Sequence, residues 1–344
     1  MNRRDFVFSG VFSGLLAGAA CSRGPRLNVY NWSDYIAPDT VANFERESGV
    51  RVRYGTYESN QEMLAQVMSG NSGWDVVFPS EEFIGPMREL GLLAPLRHEW
   101  LPNLSALYPE FQHPPWDPEL KWSVPYMHGC SGVLYRKGIP VEPRSWADLW
   151  DRRLSGKITM LDDETEVFGA CLKKIGFPLA SGDDRQLRAA QREAIAQKPL
   201  VRAYVNAEVR DQVVAGDVWA AQAWAVTAGQ AIAAAPNALA FSLPAEGFGR
   251  YADNICILRE SRRMEAAHQW VNYILRPQVA ASIVMAVRVA SASRGAEEFL
   301  PGDITANPVL YPSRETLDRA EWFTSQPLAA QRLRDRLWTE IKSS

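Results

Sequence analysis

Aromatic and acidic side chains recur together in this sequence at places where an apolar run stops. Tyr30-Asn31-Trp32-Ser33-Asp34-Tyr35 follows a short strand-like segment, and Ser80-Glu81-Glu82 follows another. Ring faces attract cations and a nearby carboxylate supplies the counter-charge, so the first cluster suits an ammonium ligand. It equally suits rings covering a sheet end while Asp34 closes a turn. Asp163 and Glu166, three apart, would share a helical face and clamp one ammonium; the same pair is also an N-cap and its N3 partner. Trp224 closes a strand-like run, and Tyr251 and Asp253 follow the glycine-bounded Gly247-Phe248-Gly249.

The elements that must position these residues alternate. Leu27–Tyr30, Val50–Thr56 and Asp75–Phe78 read as strands. Between them lie helices over Thr40–Glu47, stopped by Gly49, and from the capping box Ser59-Asn60-Gln61-Glu62 to Gly70. A βαβαβ order implies a parallel sheet with covering helices and a ligand beyond the carboxyl ends of its strands. That rim holds Asn31–Tyr35, Glu58–Asn60 and Ser80–Phe83. A second α/β unit starts at Ser145-Trp146-Ala147-Asp148 and includes a strand Lys157–Leu161, a helix from Asp163, a polar helix Arg185–Gln197 and a strand Val218–Trp224. Pro125–Leu134 and Ala252–Leu258 are extended segments suited to two crossings between lobes. Ser261 heads a further helix, Pro277 starts the next, and Leu333, Leu337 and Ile341 form the stripe of the last one.

Composition narrows the function. The 344 residues carry 37 Lys+Arg against 40 Asp+Glu, a net charge of −3 that argues against a nucleic-acid partner. The one long apolar run, Phe6–Ala20, is shorter than the roughly 20 residues a membrane-spanning helix needs, so no integral membrane protein is expected. Arg3-Arg4 ahead of that run matches a twin-arginine export signal, and Ala17-Gly18-Ala19-Ala20 before Cys21 matches a lipoprotein processing site with Cys21 lipidated. Residues 1–20 are thus expected to be an export signal and 21–26 a tether. Cys130, Cys171 and Cys256 have no C-x-x-C spacing and His98, His113, His128 and His268 no ligand spacing, so neither a metal nor another cofactor is expected. Cys130 and Cys256, one on each crossing segment, are expected as free thiols, with a disulfide as the alternative. P-loop, G-x-G-x-x-G and G-x-S-x-G patterns are absent.

Several stretches together resemble the periplasmic polyamine-binding proteins, the spermidine- and putrescine-binding components of ABC importers. They are Tyr30–Tyr35, Tyr57-Glu58-Ser59-Asn60, Asp75–Ser80, Ser145–Trp150, Leu161-Asp162-Asp163, Glu166-Val167-Phe168 and Leu310-Tyr311-Pro312, in family order over about residues 27 to 325. The resemblance implies a two-lobed α/β fold, each lobe a mainly parallel sheet with flanking helices, joined by hinge strands. Lobe 1 would comprise 27–128 and 253–300, lobe 2 129–252 and 301–344. It also implies a monomer that captures a polyamine between the lobes and delivers it to ABC permease subunits, without catalysis. Carried over by position, Trp32, Ser33, Asp34, Tyr35 and Ser80 would line one wall, Asp163 and Glu166 bind one amine, Trp224 and Tyr251 stack on methylenes, and Asp253 hold another ammonium. Three positions depart from the family pattern: Glu82 where Tyr is usual, Arg288 near an aromatic position, and Phe323 near a polar one. Arg288 would either pair with Glu81 or Glu82, or receive a ligand carboxylate, which favours an amino-carboxylate such as 4-aminobutyrate. A polyamine sensor and a secreted hydrolase with two carboxylates as acid and base are the remaining readings.

Overall fold

The computed structural model describes residues 25–206 and 208–344, so the export signal and Cys21 lie outside the described residues. The amino-terminal region runs β1 (Arg26–Trp32), α1 (Thr40–Ser48), β2 (Arg51–Tyr57), α2 (Asn60–Met68), β3 (Val76–Val77), α3 (Glu81–Glu89) and a short α4 (Pro109–Gln112). The long β4 (Val124–Arg136) then leads to β5 (Ile158–Met160), α5 (Glu164–Lys174), α6 (Asp184–Gln197), β6 (Val201–Tyr204), α7 (Val209–Ala215), β7 (Ala220–Trp224), α8 (Ala225–Ala234) and β8 (Leu239–Ser242). After β9 (Phe248–Ile257) come α9 (Met264–Ile274) and α10 (Pro277–Val287), and the chain closes on a helix over Leu328–Ser343.

Local signals explain most of these boundaries. Gly49 ends α1 at φ 72°, in the left-handed region that only glycine enters cheaply. Ser59 Oγ accepts from Glu62 N and so caps α2, whereas Glu62 reaches back to Glu58 N instead of closing the box on Ser59. The Ser145 box forms in full, but on a 3-10 turn, Trp146–Trp150.

β1 pairs parallel with β2 and β3, and β7 with β5 and β5 with β6 do the same on the other side. Between these parallel halves β9 and β4 run antiparallel to one another and to their neighbours, giving the order β2-β1-β3-β9-β4-β7-β5-β6. Two separate cores flank this pair. One gathers Val29, Phe44, Phe78, Met127, Ile255 and Trp270; the other gathers Cys130, Ile158, Phe168, Leu187, Phe248, Leu337 and Ile341. Met127 and Cys130 belong to different cores, so β4 crosses between the lobes there, and β9 crosses between Phe248 and Ala252. The mixed α/β, two-lobed architecture is as expected. Residues 301–311, assigned to lobe 2 from sequence, run along both: Ile304 and Leu310 pack with Val284 and Ala290, and Val309 packs against the cluster of Leu134, Val213 and Ala228.

Cys130, Cys171 and Cys256 are buried free thiols. Cys130 stands opposite Arg250, six positions along β9 from Cys256, a separation of roughly 20 Å that no disulfide spans. No described helix is long and apolar enough to cross a membrane.

Candidate functional site

A cavity of about 410 Å³ opens between the lobes, at the carboxyl ends of β1, β3, β5 and β7. Lobe 1 contributes Trp32 to Tyr35, Ser80 and Glu82; lobe 2 contributes Asp163, Glu166 and Trp224; the hinge strand β9 contributes Tyr251 and Asp253.

Asp253 is the best-anchored of its acids. It is 5% exposed; Tyr35 Oη donates to Oδ2 at 2.8 Å and Ser80 Oγ to Oδ1 at 2.8 Å. Asn60 locks Ser80 by a reciprocal pair of hydrogen bonds, and Tyr126 donates to the carbonyl of Tyr35. Burial pushes the Asp253 carboxyl up to about 6 despite those two donors. Trp32 hangs its indole N–H on the Phe78 carbonyl at 2.8 Å and tilts against Tyr57, which bonds the same carbonyl. Asp34 sits at φ 52°, a strained setting for a non-glycine residue and one that recurs at ligand sites.

On the opposite wall Asp163 caps α5, its Oδ1 accepting from Glu166 N at 2.9 Å. Both sequence readings of this pair therefore hold at once: Asp163 is the cap and also lines the cavity. Glu166 does not return to the cap. Its Oε1 accepts from Ser131 Oγ at 2.5 Å and Trp224 Nε1 at 2.7 Å, so the carboxylate is fixed against the indole. Burial and the neighbouring Asp163 push it up to about 8. Glu82, half-buried, is likewise driven to about 8, first by loss of water and then by Asp163 across the cleft and Asp253. Tyr251 covers β4 so closely that Gly129 has no room for a side chain.

Eleven of the twelve ligand positions named from sequence line this one cavity. Arg288 does not. It ends α10 in the left-handed region at φ 62° and turns its backbone toward Gly229 of α8, outside the lining. The arginine at the cavity is Arg210 of α7, which bonds Gln230 Oε1 at 3.3 Å and pairs with the exposed Asp211. Sequence reading missed Arg210, Asn206, Thr227 and Gln230; only the spacing of Thr227 and Gln230 on one face of α8, just after Trp224, pointed to them. Phe323, one of the departures, lines the cavity and packs on Gly169 and Gly249. Among the described residues, Asp34, Glu58, Glu82, Asp162, Asp163, Glu164, Glu166 and Asp253 face it against the single cation Arg210, a strongly cation-seeking field. Among the described residues no group of His, Cys, Asp and Glu is arranged for a metal.

The family model for bacterial extracellular solute-binding proteins matches residues 39–311. The chain belongs to that family. This solute-binding protein is 33% identical over 363 residues to the putrescine-binding periplasmic protein of Escherichia coli (strain K12), across 98% of this chain and 96% of the relative. It is 29% identical to the spermidine/putrescine-binding periplasmic protein of the same organism, across 93% and 92%. Its fold superposes on a putative spermidine/putrescine ABC transporter protein from Listeria monocytogenes with a TM-score of 0.89 and 29% identity, covering 92% of this chain and 98% of that one. A structure described as a GABA receptor shares only the fold, at 16% identity and a TM-score of 0.72.

The raised acids predict a pH signature for the solute-binding protein. Glu166 ionises near 8 when folded and near 4.3 when unfolded. The folded state therefore binds more protons between those values, and stability of the empty protein falls as pH rises through that window. A bound cation favours the ionised form, so ligand stabilisation grows over the same range. The melting temperature without ligand is expected to be higher at pH 6 than at pH 8.5, and the increment from a diamine larger at pH 8.5. A ligand increment that is flat with pH would contradict the assignment of the acids.

Proposed function

We propose that this chain is the substrate-binding component of an ABC importer and captures a polyamine, putrescine or spermidine, between its lobes. The observation that carries the reading is Asp253 and Glu166 on opposite walls, each oriented by two donors, with Trp32, Trp224 and Tyr251 lining the same cavity. A polyamine has the complementary form: ammonium ends that need carboxylates once out of water, and methylenes that rest on rings. Each cation–π contact adds about 0.5–2 kcal/mol. Ligand touches both lobes together only when they are closed, which gives the differential affinity that shifts the population to the closed form. Permease subunits would then recognise that form. The export signal read over residues 1–20 and the lipid anchor at Cys21 fit a periplasmic monomer that hands its ligand to a membrane complex without chemistry on it.

Arg210 supports a second reading, an amino-carboxylate whose anionic end meets that guanidinium; carboxylates outnumber it heavily, which favours the polyamine. Trp32 and Trp224 in the cavity make intrinsic fluorescence a direct probe. Putrescine, cadaverine and spermidine are expected to change the emission saturably and to compete with one another, with 4-aminobutyrate at least about tenfold weaker. Stronger competition by 4-aminobutyrate would transfer the assignment to the second reading.

A further inference from the structure

Helix α3 of lobe 1 contains Pro86, and a proline has no amide hydrogen to give the carbonyl four residues back. That carbonyl belongs to Glu82, so the helix leaves it without its usual partner. The hydroxyl of Ser325 supplies one: Oγ donates to the Glu82 carbonyl at 2.6 Å. One helical turn on from Glu82 stands Gly85, where a Cβ would come within 3.2 Å of Ser325 Oγ and 3.9 Å of its Cβ. Proline frees the acceptor and glycine clears the approach, and together they form a notch for one serine.

Ser325 reaches that notch from the other lobe. It lies on an irregular strap, 323–327, between the short strand Ala320–Trp322, paired with β9, and the last helix, whose Leu337 and Ile341 belong to the lobe 2 core. Gln326, the next residue, pins the strap to lobe 2: Nε2 donates to the Ala180 carbonyl at 2.8 Å, and Oε1 fills the place a Cβ would take on Gly182. Just before the strap, Glu321 Oε2 accepts from Leu179 N at 2.8 Å. By contrast α3 sets Ile84 and Met87 among Tyr30, Trp74 and Val77 of lobe 1. Both partners also meet the ligand space, since Phe323 of the strap and the Glu82 side chain line the cavity.

We propose that Ser325 is a positioning residue for closure: its bond to the Glu82 carbonyl in the Gly85-Pro86 notch latches the two lobes around ligand and slows ligand release. This rests on the closure mechanism proposed above, not on the identity of the ligand. The bond joins residues of different lobes, so it exists only while they are together. When they part, the carbonyl that Pro86 leaves unpaired returns to water, and closing exchanges that water for the hydroxyl. Ser325 stands at the surface, so its contribution is that of an ordinary hydrogen bond, about threefold to tenfold in the closed population. The latch touches backbone and not ligand, and so acts on every ligand alike.

Stopped-flow tryptophan fluorescence of the full chain with putrescine and with spermidine tests this in the parent, Ser325→Ala, Pro86→Ala and the double variant. Ser325→Ala is expected to speed dissociation of both amines by about threefold to tenfold and to leave their affinity ratio unchanged. Pro86→Ala restores an amide hydrogen to the Glu82 carbonyl, so adding Ser325→Ala to it should change dissociation by less than about twofold. Gly85→Ala crowds the notch while favouring the helix, and is expected to release ligand faster with no loss of melting temperature. Parent-like dissociation in folded Ser325→Ala, or an equal effect of that change with and without Pro86, would overturn the latch. A parent that binds neither amine overturns the polyamine reading itself. The latch is then judged in the empty protein, from the distance between spin labels at Gln66→Cys and Thr339→Cys, both exposed while the native thiols are buried. A shift of Ser325→Ala toward longer distances upholds it, and identical distributions overturn it.

Discussion

Asp253→Asn is expected to weaken putrescine binding by about a hundredfold or more, the largest effect of any single change in the cleft. Removing one partner of a buried charge pair costs about 3–5 kcal/mol, because the other charge stays desolvated and unpaired. At about 1.4 kcal/mol per tenfold, that is about two to three and a half orders of magnitude in Kd. The change is isosteric, so the scaffold around it should persist: one hydroxyl of the Tyr35 and Ser80 pair still finds the amide oxygen, and the other can accept from the new amide. Since the carboxyl is pushed up to about 6 by burial, its loss should leave the melting temperature of the empty protein unchanged or higher at pH 8. Loss of affinity without loss of stability is the signature of a ligand partner. Parent-like affinity would place the ammonium elsewhere.

Glu166→Gln is expected to follow, with a loss of about tenfold to a hundredfold, in line with a charge-assisted hydrogen bond of about 1.5–3 kcal/mol. Ser131 and Trp224 both donate to Oε1, which a glutamine carbonyl can still accept, so the indole stays in place. What disappears is the charge. The diagnostic readout is therefore the pH profile of affinity. The parent should bind more tightly as pH rises from 6 to 8.5, because a carboxyl that ionises near 8 must lose its proton to hold the ammonium. The variant should lose most of that rise. A variant with the parent slope would assign the titration to another acid of the cleft.

How much of this was legible in the sequence depends on the kind of signal each residue carries. Periodicity and caps marked β1, α1, β2, α2 and the start of α5, because those boundaries are set by local hydrogen bonds at Gly49, Ser59 and Asp163. The acids and rings of the cleft were legible because polar clusters directly after strands have few purely structural uses, and Asp253, Glu166 and Trp224 do converge. Arg288 misled because position along the chain does not report which way a helix terminus turns; its left-handed φ is a tertiary fact. Arg210 and Arg334 were invisible for the opposite reason. Arg334 stands between Arg332 and Arg336, and all three look like a solvated face until packing shows that only this one flanks the buried stripe of Leu337 and Ile341. The packing of residues 301–311 was not legible either, since apolar residues such as Ile304 and Leu310 state that they are buried and not against what.

Isothermal titration of the protein with putrescine, at low and then at higher salt, tests the central claim most directly. A cleft with opposed buried carboxylates predicts one site per chain, tight binding, and an affinity that falls only moderately with salt because the pairs are shielded from water. Absence of binding by putrescine and spermidine alike, in a protein shown to be folded, would contradict the account.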